Sequence, residues 1–101
     1  MESLTSQTFG GHVASGVTLV DFWAPWCGPC RMQMPIIEET VGTLPQGVKI
    51  AKVNVDEASD LAQKFQISGV PTWIVFRDGR EIYRTSGVQS REDLLELAKR
   101  E

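Results

Sequence analysis

The sequence predicts an α/β fold in which a mixed β-sheet carries helices on both faces. Three observations predict it. Short apolar, β-branched runs alternate with segments of helical spacing, in the order helix–strand–helix–strand–helix. The pair Asp78-Gly79 between two further runs marks a β-hairpin. A capped amphipathic segment closes the chain. The 101 residues suffice for one hydrophobic core, so a single domain spanning 1–101 is expected.

The first helix is expected from Thr5 to Ser15, capped by Thr5, with Phe9 and Val13 four apart on one face and Gly16 ending it. Val17-Thr18-Leu19-Val20-Asp21-Phe22-Trp23 reads as a buried strand. After Ala24-Pro25-Trp26-Cys27-Gly28-Pro29-Cys30, a second helix runs to about Gly42, and Pro35 inside it is expected to kink it. Val48 to Val55 is a second buried strand. Asp56 is a good N-cap for a helix from Glu57 to Phe65. Thr72 to Phe76 and Glu81 to Thr85 are the hairpin strands, and Gly87 breaks the second. Ser90 caps the last helix with Asp93 three residues on, and Leu94, Leu95, Leu97 and Ala98 form its apolar face. There is no internal repeat, low-complexity stretch or linker.

Composition removes several classes of function. Apolar residues make up 42% and charged residues 23%, ordinary for a folded soluble protein. Net charge is −3 and the ten basic residues are scattered, so nucleic acid is not an expected partner. No apolar run approaches the ~20 residues that span a bilayer, so no membrane association is expected. Met1-Glu2-Ser3-Leu4-Thr5 has neither the basic start nor the apolar stretch of a signal peptide, which makes the cytoplasm the expected compartment. The two cysteines are too few for a disulfide scaffold. With the single His12, expected at the surface, they cannot supply four zinc ligands, so no metal or other cofactor is expected. Redox chemistry is favoured.

Cys27 and Cys30 are three apart, a spacing that puts them on one helix face with Cβ atoms ~5–6 Å apart, close to disulfide range. Cys27 falls where strand gives way to helix. Pro29 fits a first helical turn, and Gly28 is expected to let the chain turn tightly. Free N–H groups at the helix start then stabilise negative charge on Cys27, lowering its pKa below the ~8.5 of a free thiol. Arg31 either adds a positive charge or stands solvated. Cys30, one turn deeper, is expected to be the more buried. An inert pair packed in a core is the alternative, disfavoured by the junction and by exposed-looking Pro25 and Trp26.

Val20-Asp21-Phe22-Trp23-Ala24-Pro25-Trp26-Cys27-Gly28-Pro29-Cys30 resembles the active-site segment of the thioredoxin family at almost every position. Pro35, Lys52-Val53-Asn54-Val55-Asp56, Gly69-Val70-Pro71-Thr72, Gly79 and Gly87 also match that family, in order and over nearly the whole chain. The resemblance implies the thioredoxin fold, a five-stranded mixed β-sheet flanked by four α-helices. Three departures stand out. The first strand is short or frayed, because little precedes Leu4. Met32-Gln33-Met34 is richer in methionine than usual. Trp73 replaces an aliphatic or smaller aromatic residue. Packing is the expected role of the last two.

Asp21 sits mid-strand among apolar residues, where an unpaired carboxylate has a raised pKa. The residues alone leave it open whether it is functional or a satisfied structural acid. The resemblance implies proton exchange with the deeper cysteine. Lys52 either pairs with Asp21 or snorkels at a strand end. Pro71 on its own is an ordinary strand-starting proline; the resemblance implies a cis Val70–Pro71 bond and a Val70 backbone that hydrogen-bonds extended substrate. Trp26, Pro29, Gly69, Val70 and Gly87, with Gly28 and Pro71, are the expected docking surface.

The function expected is reduction of disulfides in client proteins through a reversible Cys27–Cys30 disulfide. Cys27 attacks, Cys30 resolves, and by resemblance a flavin- and NADPH-dependent thioredoxin reductase recharges the monomer. An oxidant or isomerase of the same fold is the first rival; Gly28-Pro29 is typical of reductants, whereas oxidising relatives usually carry histidine there. A docking subunit that uses the fold as a platform is the second rival, and it would keep its function in Cys27→Ser.

Overall fold

The computed structural model describes residues 1–101. Five strands, β1 (Glu2–Ser3), β2 (Val17–Trp23), β3 (Val48–Asn54), β4 (Thr72–Arg77) and β5 (Arg80–Ser86), form one sheet in the order β1-β3-β2-β4-β5. Four helices accompany it: α1 (Phe9–Val13), α2 (Gly28–Val41), α3 (Ser59–Lys64) and α4 (Arg91–Leu97). β3 lies parallel to β1 and β2, while β4 runs antiparallel to β2 and β5 to β4. This is the mixed sheet with four helices that the sequence predicts.

Strand β2 is central, and its period of two sorts the core. Val20 and Phe22 pack with Phe9 and Val13 of α1 and Leu61 of α3, while Val17 and Leu19 pack with Ile37 of α2 and Leu94 and Leu97 of α4. Both faces are covered, which explains the unbroken apolar run of β2. On the α1/α3 face, Phe9, Phe22, Phe65 and Phe76 stack with ring centroids 5.2–6.0 Å apart. Asp21 shares the parity of Leu19 and so belongs to the α2/α4 face.

The short first strand is real. Both residues of β1 are exposed, and the edge is held by Leu4, whose N–H donates to the Lys52 carbonyl at 2.8 Å and whose side chain is buried. The hairpin turn places Asp78 and Gly79 at φ of 51° and 86°, as a type I′ turn requires. At Gly16 (φ 72°) a Cβ would stand 2.9 Å from the Gly47 carbonyl oxygen, so only glycine fits.

Four expectations need correcting. Regular α1 begins at Phe9, not Thr5: Thr5 and Thr8 exchange side-chain bonds to each other's N–H at 3.2 and 2.9 Å and close a turn first, and Gly10-Gly11 gives the helix little propensity. Asp56 does not cap α3, which begins at Ser59. Instead Asn54 Oδ1 accepts from the N–H groups of Asp56 (2.9 Å) and Glu57 (3.4 Å) and makes the turn itself. His12 is half-buried rather than a surface residue, its Nε2 has no partner, and burial together with nearby Lys49 lowers its pKa. Leu95 is only half-buried, so the apolar face of α4 is Leu94, Leu97 and Ala98. The Ser90–Asp93 capping box forms as read, with both bonds at 3.0 Å. Pro35 lies within α2, which continues through it to Val41.

Candidate active site

Strand β2 delivers the chain to the turn Ala24-Pro25-Trp26, and Cys27 becomes the N-cap of α2 in an extended conformation (φ −90°, ψ 114°). Its Sγ accepts from the Cys30 N–H at 3.2 Å, the place a serine or aspartate oxygen usually takes. Pro29 falls in the first turn, where its missing N–H costs no helix bond. Cys27 and Cys30 are joined in a disulfide, with Cα atoms 5.2 Å apart. Cys30 has no exposed surface and Cys27 keeps 4%. Gly28 has helical geometry and a Cβ there would meet nothing within 4 Å, so it is not needed for a tight turn. The Arg31 guanidinium is not simply solvated: it donates to the Pro25 carbonyl at 2.9 Å and ties the helix start to the turn.

The Val70–Pro71 peptide is cis. Cys27 Sγ lies 3.6 Å from the Val70 carbonyl oxygen. Pro71 is buried, Val70 half-buried and Gly69 exposed. Gly87, in a left-handed conformation (φ 91°), donates its N–H to the Pro71 carbonyl at 2.9 Å. Trp26 is 67% exposed and Pro29 is exposed. A shallow pocket of about 240 Å³ opens beside them, lined by Trp26, Val55, Ala62, Ile67, Ser68, Gly69 and Val70. The sequence reading missed Val55, Ala62 and Ile67 here; their apolar character signals burial, and only the fold turns them toward the surface. It also missed Asp56, whose Oδ2 accepts from Trp26 Nε1 at 3.0 Å and orients the exposed indole.

Asp21 has no exposed surface, and neither carboxylate oxygen has a hydrogen-bond partner. Burial pushes its pKa up to about 7, and the positive charge of Lys52 opposes that rise. Lys52 is the register partner of Asp21 on β3, yet the two make no ion pair; the ammonium sits 5.1 Å from the centre of the Trp23 ring instead. Neither a satisfied structural acid nor a salt bridge describes this carboxyl. It is a buried, partnerless group on the sheet face that α2 covers, and α2 carries Cys30.

The two methionines diverge. Met34 is half-buried against the α2/α4 core, as packing requires, whereas Met32 is 66% exposed and packs nothing. Trp73 is fully buried, and its Nε1 donates to Gln33 Oε1 at 3.1 Å.

A disulfide held at the N-cap of a helix, nearly buried beneath an exposed tryptophan and proline and with a buried acid behind the helix, belongs to a thiol–disulfide exchange protein. Comparison narrows the class. The thioredoxin family model matches residues 1–100. A thioredoxin from Chlamydia pneumoniae is 46% identical over 94 residues, which cover 93% of this chain and 91% of that protein. One from Staphylococcus saprophyticus is 42% identical over 97 residues, or 96% and 93% of the two chains. Among solved structures, a mutant thioredoxin from Halobacterium salinarum superposes with a TM-score of 0.86 at 33% identity, covering 97% of this chain and 87% of that one. The chain belongs to the thioredoxin family, and it is a thiol–disulfide oxidoreductase.

Trp23 packs against the cluster of Ala24, Cys27 and Cys30, and Trp26 adjoins Cys27 in sequence. Reducing the disulfide removes a quencher from beside both indoles. Tryptophan emission is therefore expected to rise on reduction, and superimposable spectra in the two redox states would contradict this proximity.

Proposed function

We propose that Cys27 is the attacking thiol and Cys30 the resolving thiol in the reduction of client disulfides. The observation that carries this is the N-cap geometry: Cys27 Sγ already accepts a helix N–H, so α2 favours negative charge there. The Cys27 thiolate attacks one sulfur of the client disulfide. The client S–S bond breaks, a mixed disulfide forms, and the departing client thiolate takes a proton. Cys30, deprotonated by Asp21, attacks Cys27 Sγ, closes the internal disulfide and expels the second client thiolate. Two electrons pass to the client, carried by the two cysteines without a bound cofactor; the first departing thiolate takes its proton from water, and the second takes the proton that Cys30 gave to Asp21. The proton role of Asp21 comes from the thioredoxin resemblance. It is supported by a pKa of about 7, which lets the group exchange a proton near neutrality. Lys52 acts only through its charge, which keeps that pKa from rising further.

The docking surface is Trp26, Gly28, Pro29, Gly69, Val70 and Gly87; Pro71, expected in it, is buried and takes part only through its carbonyl, which holds Gly87. Clients lie extended against the Val70 backbone and place a side chain in the pocket beside Trp26. A flavin- and NADPH-dependent thioredoxin reductase returns the protein to its dithiol form. It works as a single-domain monomer in the cytoplasm; no helix is long and apolar enough to cross a membrane. The direct test is reduction of insulin disulfides by dithiothreitol, which the protein is expected to accelerate. A rate equal to that of dithiothreitol alone would remove the reductase reading.

A further inference from the structure

Gln33 is a polar side chain with no exposed surface, and the disulfide cycle does not use it. It stands three residues after Cys30, on the same face of α2. Its Oε1 accepts from Trp73 Nε1 at 3.1 Å and from the Gln89 N–H at 2.7 Å, and its Nε2 donates to the Gln89 carbonyl at 2.9 Å. One side-chain amide thus grips both backbone groups of Gln89, as a neighbouring strand would. The indole N–H can only donate, so it dictates which end of the amide is oxygen and leaves the nitrogen for the Gln89 carbonyl.

The segment held in this way is the one beside the disulfide. Gln89 Nε2 donates back to the Gly87 carbonyl at 3.0 Å, and the Gly87 N–H bonds the carbonyl of Pro71, the residue after Val70. The chain from Gly87 to Gln89 is therefore fixed at both ends, to the cis-proline loop and to α2, with Val88 exposed between them. A buried polar network of this kind is satisfied only in one arrangement, and that property specifies a loop position.

We infer that Gln33 is a positioning residue for client docking: its amide holds the Gly87–Gln89 wall of the docking surface in register with the cysteine pair. Trp73 supports it by fixing the orientation of that amide. This rests on the docking surface proposed for clients, and the experiment separates the two.

Gln33→Met keeps length and volume but leaves the Gln89 backbone groups unheld. Its KM for insulin is expected to rise about fivefold, the equivalent of one lost hydrogen bond in loop position, with kcat within about twofold of wild type. Reduction of the small disulfide 5,5′-dithiobis(2-nitrobenzoic acid), which needs no docking wall, is expected to proceed at the wild-type rate. Amide hydrogen exchange at Val88 and Gln89 is expected to quicken. Ile37→Val, a core substitution on α2 that touches none of these hydrogen bonds, serves as the stability control, with lowered stability but a near wild-type KM for insulin. Gln33→Glu keeps both acceptor bonds and loses the donor, so it supplies the test if Gln33→Met does not fold, with an intermediate rise in KM. An unchanged insulin KM in both Gln33 variants, or a parallel loss on insulin and the small disulfide, overturns the inference. Trp26→Ala tests the docking surface itself: if it raises the insulin KM while the Gln33 variants do not, only the role of Gln33 fails.

Discussion

Cys30→Ser is expected to accumulate mixed disulfides with clients, Cys27→Ser is not, and each is expected to lose at least about 100-fold in insulin-reducing turnover. The asymmetry follows from position. Cys27 is the N-cap, retains the little exposed surface the pair has, and accepts the Cys30 N–H at its sulfur. In Cys30→Ser that attacking sulfur is intact, and the adduct it forms persists because serine cannot displace a disulfide sulfur. In Cys27→Ser the remaining thiol has no exposed surface, so a client disulfide cannot approach it along the required line. Captured adducts are counted by non-reducing electrophoresis after exposure to oxidised insulin. Equal capture by the two variants would show that both sulfurs attack, and the assigned order would fall. A Cys27→Ser protein that has lost insulin reduction but keeps its biological function would instead return the fold to the role of a docking platform.

The parts of this site that were legible in sequence are those written in local chemistry. The strand–helix junction could be read from Val17–Trp23 followed by Pro29, because an apolar run and a first-turn proline are local signals. The Ser90–Asp93 box and the Asp78-Gly79 turn were legible for the same reason. What sequence could not supply were contacts between elements. Asp56 has the composition of a cap, but Asn54, two residues earlier, makes the turn by accepting from the Asp56 and Glu57 N–H groups, and the Asp56 carboxylate holds Trp26 across the loop instead. Lys52 stands opposite Asp21 in register, as the strands predict, yet its ammonium reaches the Trp23 face instead of the buried carboxylate. Gln33 carries no local signal of its own in the Met32-Gln33-Met34 run. Its importance lies in Trp73 and Gln89, which are 40 and 56 residues away and which only the closed sheet brings to it.

Asp21→Asn is expected to stabilise the protein at pH 8 and to have little effect at pH 4. The sign follows from proton counting. The carboxyl has a pKa of about 7 when folded, raised by burial, against a model value of 3.8. Between those values the native state holds a proton that the unfolded chain has released, so stability falls as pH rises through that window. Below it, both states are protonated and no penalty exists. Above it, the native state must bury a carboxylate whose oxygens have no partner, at a cost of roughly 3–5 kcal/mol from about 1.4 kcal/mol per pKa unit. Asparagine keeps the shape and removes the charge, although its amide is also buried, so the observed gain at pH 8 should approach that figure from below. Urea unfolding of the oxidised proteins at pH 4, 6 and 8 measures it without interference from thiol titration. Lys52→Met supplies the complementary result: losing the nearby positive charge raises the Asp21 pKa further, so wild type should lose stability at pH 8 while the Asp21→Asn background should not share that pH dependence. The same substitution of Asp21 should slow resolution of the mixed disulfide near neutral pH, since Cys30 loses its proton acceptor. If Asp21→Asn is instead destabilised at pH 8, the carboxylate has a partner in solution, and the physical basis for its proton transfer is gone.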